Sequence, residues 1–340
     1  MFIICISGYV ISMENILTLH GANPENLYKI FNIKMPEKIL DFSTNTNVFS
    51  WPDIDIDIKK LASNYPDLEC SKLRGLISER EGIEKERILF TNGINEAIFL
   101  LANFLKESTG IFQPCYSEYK RAFGNAQDVF NIYEAGAFKN FIIANPNNPT
   151  GIFIKNLSEI IKKFPDTLFI IDEAYIDFLL NDEPEKLYKF ENVILLRSLT
   201  KFFHLSGARI GYIIADKKVI SGLKNFQPSW SVNAVAQELA FYFLNDRNFY
   251  EHSKAFYKKN TPEFINALKK SNFEVMNTSV NFFLIRIEND IEIIKSLLKF
   301  GIVVRHTRNF HGFNEKYIRV ATKMPEENNF FIEKLMQAKI

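Results

Sequence analysis

The stretch Val193 to Tyr212, V-I-L-L-R-S-L-T-K-F-F-H-L-S-G-A-R-I-G-Y, constrains the fold more than any other part of the chain. Its apolar start, Val193 to Leu196, reads as a buried strand that breaks at once into Arg197, Ser198, Thr200 and Lys201. In an open parallel sheet, ligands bind outside the carboxyl ends of the strands. An amine flanked by two hydroxyls at such an end is therefore placed to meet an anionic ligand. Taken alone, the segment fits a solvated surface lysine equally well.

Three further apolar runs end in the same way. Arg87 to Phe90 reads as a short strand, followed by Thr91-Asn92-Gly93-Ile94-Asn95-Glu96 and an apolar helix from Ala97 to Leu105. Strand, glycine turn and helix in that order leave free backbone N–H groups at a helix N-terminus, which suits a phosphate, although a plain strand-to-helix turn has the same form. Phe141 to Ala144 runs into Asn145-Pro146-Asn147-Asn148-Pro149-Thr150-Gly151, where two prolines hold the loop and give the Asn148 amide a defined direction. Thr167 to Ile171 stops at Asp172-Glu173-Ala174-Tyr175, and a carboxylate buried there needs a cationic partner such as a protonated pyridine nitrogen. The strand ends at Phe90, Ala144, Ile171 and Leu196 thus bring a phosphate site, an amide, a carboxylate and an amine to one rim. Coincidence would have to repeat four times.

Tyr116 follows the strand Ile111-Phe112, where its ring can lie on a planar ligand or be buried with its hydroxyl satisfied. Asn45, in the segment Ile39 to Asn47, can turn its amide to a ligand or close an Asx turn. Arg305 and Arg319 lie on or at the end of otherwise apolar strands, and so need anions, either a ligand or a structural carboxylate.

The 340 residues, 47% hydrophobic and 24% charged, suffice for one large domain plus a smaller one. A formal net charge of +1 without a run of one sign points away from nucleic acid and membrane surfaces and toward small molecules. Cys5, Cys70 and Cys115 match no metal-ligand or disulfide spacing, so no metal is expected and a reducing, cytoplasmic compartment is. The 33 phenylalanines are read as core filling and codon bias. Residues 1 to 12 are apolar but lack a basic flank and a cleavage site, and the run is too short to span a bilayer. Met13 is an alternative start, and the residues before it are expected to be dispensable.

The expected organisation is an N-terminal arm over residues 1–40, a large domain over 41–235 and a small α+β domain over 236–340, with 236–270 a bridging helix. In the small domain the pattern predicts strands at Ser279 to Ile287, Ile302 to Arg305 and Tyr317 to Ala321. It also predicts helices at Asp290 to Phe300 and Pro325 to Ala338.

On these residues the chain resembles the fold-type I pyridoxal-phosphate enzymes, in the branch holding histidinol-phosphate aminotransferase and threonine-phosphate decarboxylase. The resemblance runs from about His20 to the C-terminus. N-P-N-N-P-T-G, D-E-A-Y and S-L-T-K with Arg209 carry the superfamily likeness. H-G-A-N at His20, D-F-S-T-N at Asp41, Y-P-D at Tyr65, R-S-L-T-K-F and P-S-W-S-V-N-A carry the decarboxylase likeness. The family's D-F-S-x-N-x-N-P-L-G departs here into Asn47-Val48-Phe49-Ser50, and Tyr175 is the aminotransferase-like residue.

The resemblance implies an α/β fold-type I transferase fold, with a large mostly parallel sheet and a small α+β C-terminal domain. It implies that Lys201 holds pyridoxal 5'-phosphate covalently, that Asp172 pairs with the ring nitrogen and that Asn148 and Tyr175 bond the ring hydroxyl. Tyr116 would cover the ring. Backbone N–H groups of Gly93, Ile94 and Asn95, with Ser198, Thr200, Arg209 and a partner subunit's copy of Tyr65, would hold the cofactor phosphate in a homodimer with shared active sites. Arg319, Arg305, His20, Asn45 and Asn148 would touch a small phosphorylated amino acid. The implied reaction is decarboxylation of phosphothreonine or phosphoserine, with histidinol-phosphate or aromatic aminotransfer as the runner-up. A noncatalytic pyridoxal-phosphate-binding regulator is disfavoured, because no DNA-binding segment is appended and Lys201 is intact.

Overall fold

A computed structural model describes residues 3–6, 9–12, 21–313 and 316–338. The chain opens with an antiparallel hairpin of β1 (Ile3–Ile6) on β2 (Tyr9–Ser12), Ile4 opposite Ile11, where the sequence reading expects a featureless arm. Met13 and His20 lie outside the described residues. The helix Pro24–Phe31 follows, started by Asn23, whose side chain accepts from the Asn26 N–H. Then comes the short strand β3 (Leu40–Asp41).

The chain divides into two compact units, residues 46–148 with 152–256, and residues 1–45 with 149–151 and 257–340. The first holds a seven-stranded sheet of β4 (Ile88–Thr91), β5 (Thr109–Phe112), β6 (Gln127–Val129), β7 (Asn140–Ala144), β8 (Leu168–Asp172), β9 (Val193–Ser198) and β10 (Gly211–Ile214). Their order across the sheet is β4-β10-β9-β8-β7-β5-β6. β10 runs antiparallel to both its neighbours and the other strands share one direction. Parallel strands covered on both faces read as unbroken apolar runs, and here β7 is buried throughout. Ile111, Ile142, Ile170, Ile194 and Ile213 form the spine of this unit's core.

Since β4, β7, β8 and β9 point the same way, their carboxyl ends, Thr91, Ala144, Asp172 and Ser198, share one edge of the sheet. Three of these strands run past their apolar stretch. Thr91, Asp172 and Ser198 are ladder residues themselves, opposite Gly211, Ala144 and Gly211 in turn. The polar residues at these ends are thereby held by sheet hydrogen bonds and not by loop conformation.

The single bridging helix expected over 236–270 is two helices, Ala234–Asn245 and Arg247–Lys270. Asp246 ends the first and caps the second, its carboxylate accepting from the Phe249 N–H at 2.9 Å. Among the described residues no helix is long and apolar enough to cross a membrane.

The second unit carries β11 (Phe282–Arg286), β12 (Ile302–Val303), β13 (Arg305–His306) and β14 (Tyr317–Ala321). β11, β14 and β13 form an antiparallel sheet, while β12 pairs in parallel with β3. The strand expected at Ile302 to Arg305 is therefore two strands with different partners. Phe42 is fully buried among Phe264 and Phe331, with ring centroids 6.3 and 4.8 Å away, so phenylalanines do fill this core.

Gly301 turns the chain into β12 at φ +78°, and a Cβ there would stand 2.7 Å from the Lys38 carbonyl oxygen. Backbone cannot yield as a side-chain tip can. Gly301→Ala is expected to cost about 1–3 kcal/mol, read as a lower urea midpoint, and an unchanged midpoint would contradict the clash.

Candidate active site

Asp172 ends β8, the middle strand of the large sheet, with 5% of its surface exposed. Its carboxylate accepts a short hydrogen bond from the Tyr119 hydroxyl and another from the Ala174 N–H at 2.8 Å. Burial pushes its pKa up to about 6, against the opposing pull of the Tyr119 and Ala174 hydrogen bonds and of the Lys201 charge. An acid in this state becomes a good anion when a cation arrives beside it. Lys201, half-buried just after β9, is near enough for its charge to act on Asp172. Its backbone is tied down by the Asn47 N–H, which donates to the Lys201 carbonyl at 3.0 Å.

Around this pair stand groups suited to a phosphate. The helix Gly93–Phe104 begins at the end of β4, with Gly93 at φ +69°, where a Cβ would stand 2.7 Å from Arg209 Nη2. Glycine thus lets the Arg209 guanidinium lie on the helix N-terminus, whose N–H groups and dipole favour an anion. Arg209 is itself held at φ +62° and donates to the Ser206 carbonyl at 2.9 Å. The Ser198 and Thr200 hydroxyls, both buried, are 2.7 Å apart, so one donor and several lone pairs face each other at the end of β9. Ile94 and Asn95 lie half-buried in the first turn of the helix, and Asn95 Oδ1 accepts from the Tyr116 hydroxyl at 3.3 Å. Burial raises the Tyr116 pKa, so the phenol stays protonated.

In the loop after β7, Asn145 is consumed by structure, its amide donating to the Ile154 carbonyl and its oxygen accepting from the Ile154 N–H. Asn147 donates to the Pro114 carbonyl at 2.8 Å. Asn148 follows them, half-buried. Glu173 is likewise structural, forming a buried ion pair with Arg197. Tyr175 is buried at the start of the 3₁₀ turn Ile176–Phe178. Tyr65 is 81% exposed, its ring centroid 4.7 Å from that of Trp230 with the planes tilted by 37°.

A second cluster lies in the other unit. Arg305 on β13 and Arg319 on β14 are directly opposite each other in the ladder, 4% and 6% exposed. Arg305 donates to His306 Nε2 at 2.7 Å and to Asn309 Oδ1 at 2.6 Å, and Arg319 donates to the Ser43 carbonyl at 2.8 Å. Asn45 is buried on the same loop as Ser43, its own carbonyl accepting from Asn281 at 3.3 Å. His20 lies outside the described residues.

Four groups escaped the sequence reading. Tyr119, fully buried, sits on a short helix with nothing in its sequence pattern to mark it. Thr91 Oγ1 is buried without a hydrogen-bond partner, a state visible only in the fold. His306 adjoins Arg305. Lys323, beyond β14, places Nζ 3.5 Å from Thr44 Oγ1, and burial lowers its pKa against the pull of Asp41 and Glu327. A charged residue two positions past the end of β14 was the available signal for Lys323.

The groups around Asp172 fit a flat ring with a protonatable nitrogen and a phosphate arm, reactive toward an amine. The family described as Aminotransferase class I and II matches residues 38–335. The chain is 30% identical over 302 residues to a protein of Caldanaerobacter subterraneus named putative threonine-phosphate decarboxylase, covering 80% of this chain and 82% of that one. It is 30% identical over 350 residues to the adenosylcobalamin biosynthesis bifunctional protein CobDQ of Leptospira interrogans, covering 92% of this chain but only 40% of that longer protein. Among solved structures, the histidinol-phosphate aminotransferase of Clostridium acetobutylicum is similar with a TM-score of 0.81 at 30% identity, over 88% of this chain and 99% of that one.

The Asp172 shift predicts a pH dependence. An acid whose pKa is higher folded than unfolded binds more protons when folded, between its ordinary value and about 6. Its contribution to stability is therefore present at low pH and lost as the pH rises through that window. A ligand that needs ionised Asp172 must expel this proton, at a cost of ~10-fold in affinity per pH unit below the pKa. Pyridoxal phosphate, titrated by absorbance, is expected to lose about tenfold more affinity between pH 7 and pH 5 with the wild type than with Asp172→Asn. Equal losses in the two proteins would exclude Asp172 as the titrating group.

Proposed function

We propose that this chain, which belongs to the aminotransferase class I and II family, decarboxylates an O-phospho-L-amino acid, phosphothreonine or phosphoserine, to the corresponding amino-alcohol phosphate. It is an enzyme of the pyridoxal-phosphate aminotransferase-like family, and its cofactor is pyridoxal phosphate. Bound, that cofactor supplies the electron sink for the charge left on Cα when a bond to it breaks. The protein's part is to hold the ring, to present one bond of the substrate and to move protons.

Asp172 would hold the protonated ring nitrogen with its carboxylate ionised, and Tyr119 and the Ala174 N–H keep that carboxylate oriented. Tyr116 would cover the ring, and Asn148 and Tyr175 would bond its hydroxyl. The N–H groups of Gly93, Ile94 and Asn95, the Ser198 and Thr200 hydroxyls and Arg209 hold the phosphate. The Lys201 amine would carry the cofactor, and it is the group assigned to move a proton to Cα of the substrate.

The observation that carries the substrate assignment is the register of β13 and β14, which sets Arg305 directly across from Arg319 in a buried setting. Like charges facing each other across a ladder repel, so an anion of more than one charge is the natural occupant. A phosphate, with up to two charges and three acceptor oxygens, suits two arginines better than a carboxylate does. His20 and Asn45 complete the assigned contacts. With both arginines engaged by the phosphate, neither is left to hold the α-carboxylate, which favours its loss as carbon dioxide. Histidinol phosphate is also a phosphate monoester, and Tyr175 favours the aminotransferase reading as the alternative.

Phosphothreonine or phosphoserine is expected to release carbon dioxide with no keto-acid acceptor present. Arg319→Ala should lower kcat/KM by about 2–5 kcal/mol, the loss typical when one partner of a buried charge pair is removed. Turnover that demands 2-oxoglutarate and yields no carbon dioxide would establish aminotransfer instead.

The working form is proposed as a cytoplasmic homodimer, in keeping with free, buried Cys70 and Cys115 and with Tyr65, Leu68 and Trp230 exposed together. Tyr65 is assigned to the cofactor phosphate of the other copy. Mixing inactive Lys201→Ala with an inactive Tyr65→Phe, Arg209→Ala double variant is expected to restore partial activity through hybrid dimers. Failure of the mixture to regain activity, with hybrids verified by native mass spectrometry, would place all the groups within one chain.

A further inference from the structure

Resting on the reading that Arg305 and Arg319 take the substrate phosphate, we infer that His306 is a positioning residue of this anion subsite. Its imidazole accepts from Arg305 Nη1 and thereby fixes the guanidinium that a phosphomonoester dianion meets. Nothing in the chain's motifs marks the position.

The argument starts from what an arginine can do. A guanidinium has only donors, so the 2.7 Å contact between Arg305 Nη1 and His306 Nε2 requires that nitrogen to be the acceptor. The ring proton must then sit on Nδ1, and Nδ1 is buried with no hydrogen-bond partner. A side chain present only to fill volume gains nothing from an orphaned polar N–H, and a leucine or methionine would fill the space without that cost. The orphan is tolerated because the other nitrogen has work on Arg305. His306 is 3% exposed, so water does not compete for either nitrogen.

Two further contacts of this guanidinium tell the same story. Nη2 donates to Asn309 Oδ1 at 2.6 Å, and the guanidinium carbon stands 5.5 Å from the centroid of the Phe310 ring. Two neutral acceptors and an aromatic face orient the group without placing a counter-charge on those contacts. The neighbouring Arg308 shows the contrast, since it forms a forked pair with the fully buried Asp290, donating from Nε and Nη2 at 2.7 to 3.0 Å. That pair anchors the segment following β13, whereas the His306 and Asn309 contacts of Arg305 are to neutral acceptors, which orient its guanidinium without neutralising it. The imidazole is held neutral in turn, since burial and the charges of Arg305, Arg308 and Arg319 push its pKa down to about 2.

The test is calorimetric titration of the holoenzyme with O-phospho-L-serine, O-phospho-L-threonine and histidinol phosphate, alongside steady-state kinetics on whichever is turned over. His306→Leu is expected to weaken phosphomonoester binding at least tenfold and to raise KM by a similar factor with little change in kcat. His306→Gln, which restores a neutral acceptor, should recover to within about threefold of the wild type, a rescue that volume alone would not produce. Should the leucine variant fail to fold, His306→Met takes its place in the same comparison. Wild-type affinity in the leucine or methionine variant, or a glutamine variant no better than either, would overturn the inference. A wild type that binds histidinol phosphate but neither phospho-amino acid would sink the decarboxylase reading, and the His306 comparison would then be scored on histidinol phosphate.

Discussion

A carboxylate at the end of the central strand of a parallel sheet is the constraint on which this large unit turns. Asp172 cannot reach water, and desolvating an unpaired charge costs far more than a single hydrogen bond returns. The surroundings compensate with a phenol from one side, a backbone N–H from another and the field of a lysine from the next strand. The N–H and the lysine lie where they do because β8 and β9 run parallel and in register, with Asp172 and Leu196 abreast, while the phenol comes from the helix Glu118–Ala122 between β5 and β6. The same geometry that makes the acid reluctant to ionise prepares it to welcome a cation.

The motifs divide their residues between scaffold and chemistry more evenly than their compactness suggests. In the loop after β7, Asn145 and Asn147 lock the backbone, and the contact proposed for the ring falls to Asn148 beside them. In D-E-A-Y the glutamate holds Arg197 within the fold while its neighbour ends the strand. Substituting the wrong half of either motif would unfold the site and not merely disarm it.

Much of this was legible in the residues themselves. Buried parallel strands must be apolar throughout, so β7, β8 and β9 stand out as runs, and whatever polar group ends each run falls on the ligand-facing edge. What could not be read was set by pairing across the chain. The overrun of the strands to Thr91, Asp172 and Ser198 depends on partners rather than on hydropathy. The split of Ile302 to Arg305 into two strands reflects a parallel partner, Leu40–Asp41, some 260 residues away in sequence, for one half and β14 for the other. The break at Asp246 interrupts a helical pattern that is continuous in composition, because one residue serves two helix ends, its N–H closing the first and its carboxylate capping the second. Tyr119 and the face-to-face arginines likewise exist only once the chain has closed on itself.

The reversed strand β10 has a consequence of its own. Because β9 runs toward the ligand edge and β10 runs away from it, the segment between them begins and ends at that edge, with Ser198 paired to Gly211. Lys201 and Arg209 both ride on this closed span, moored at its two feet by neighbouring strands. A breathing motion that lifted the edge of the sheet would carry the two cations as one body, preserving the separation between them. The backbone separation of these two residues is thus set by the connection between one pair of strands and not by the order of strands across the sheet.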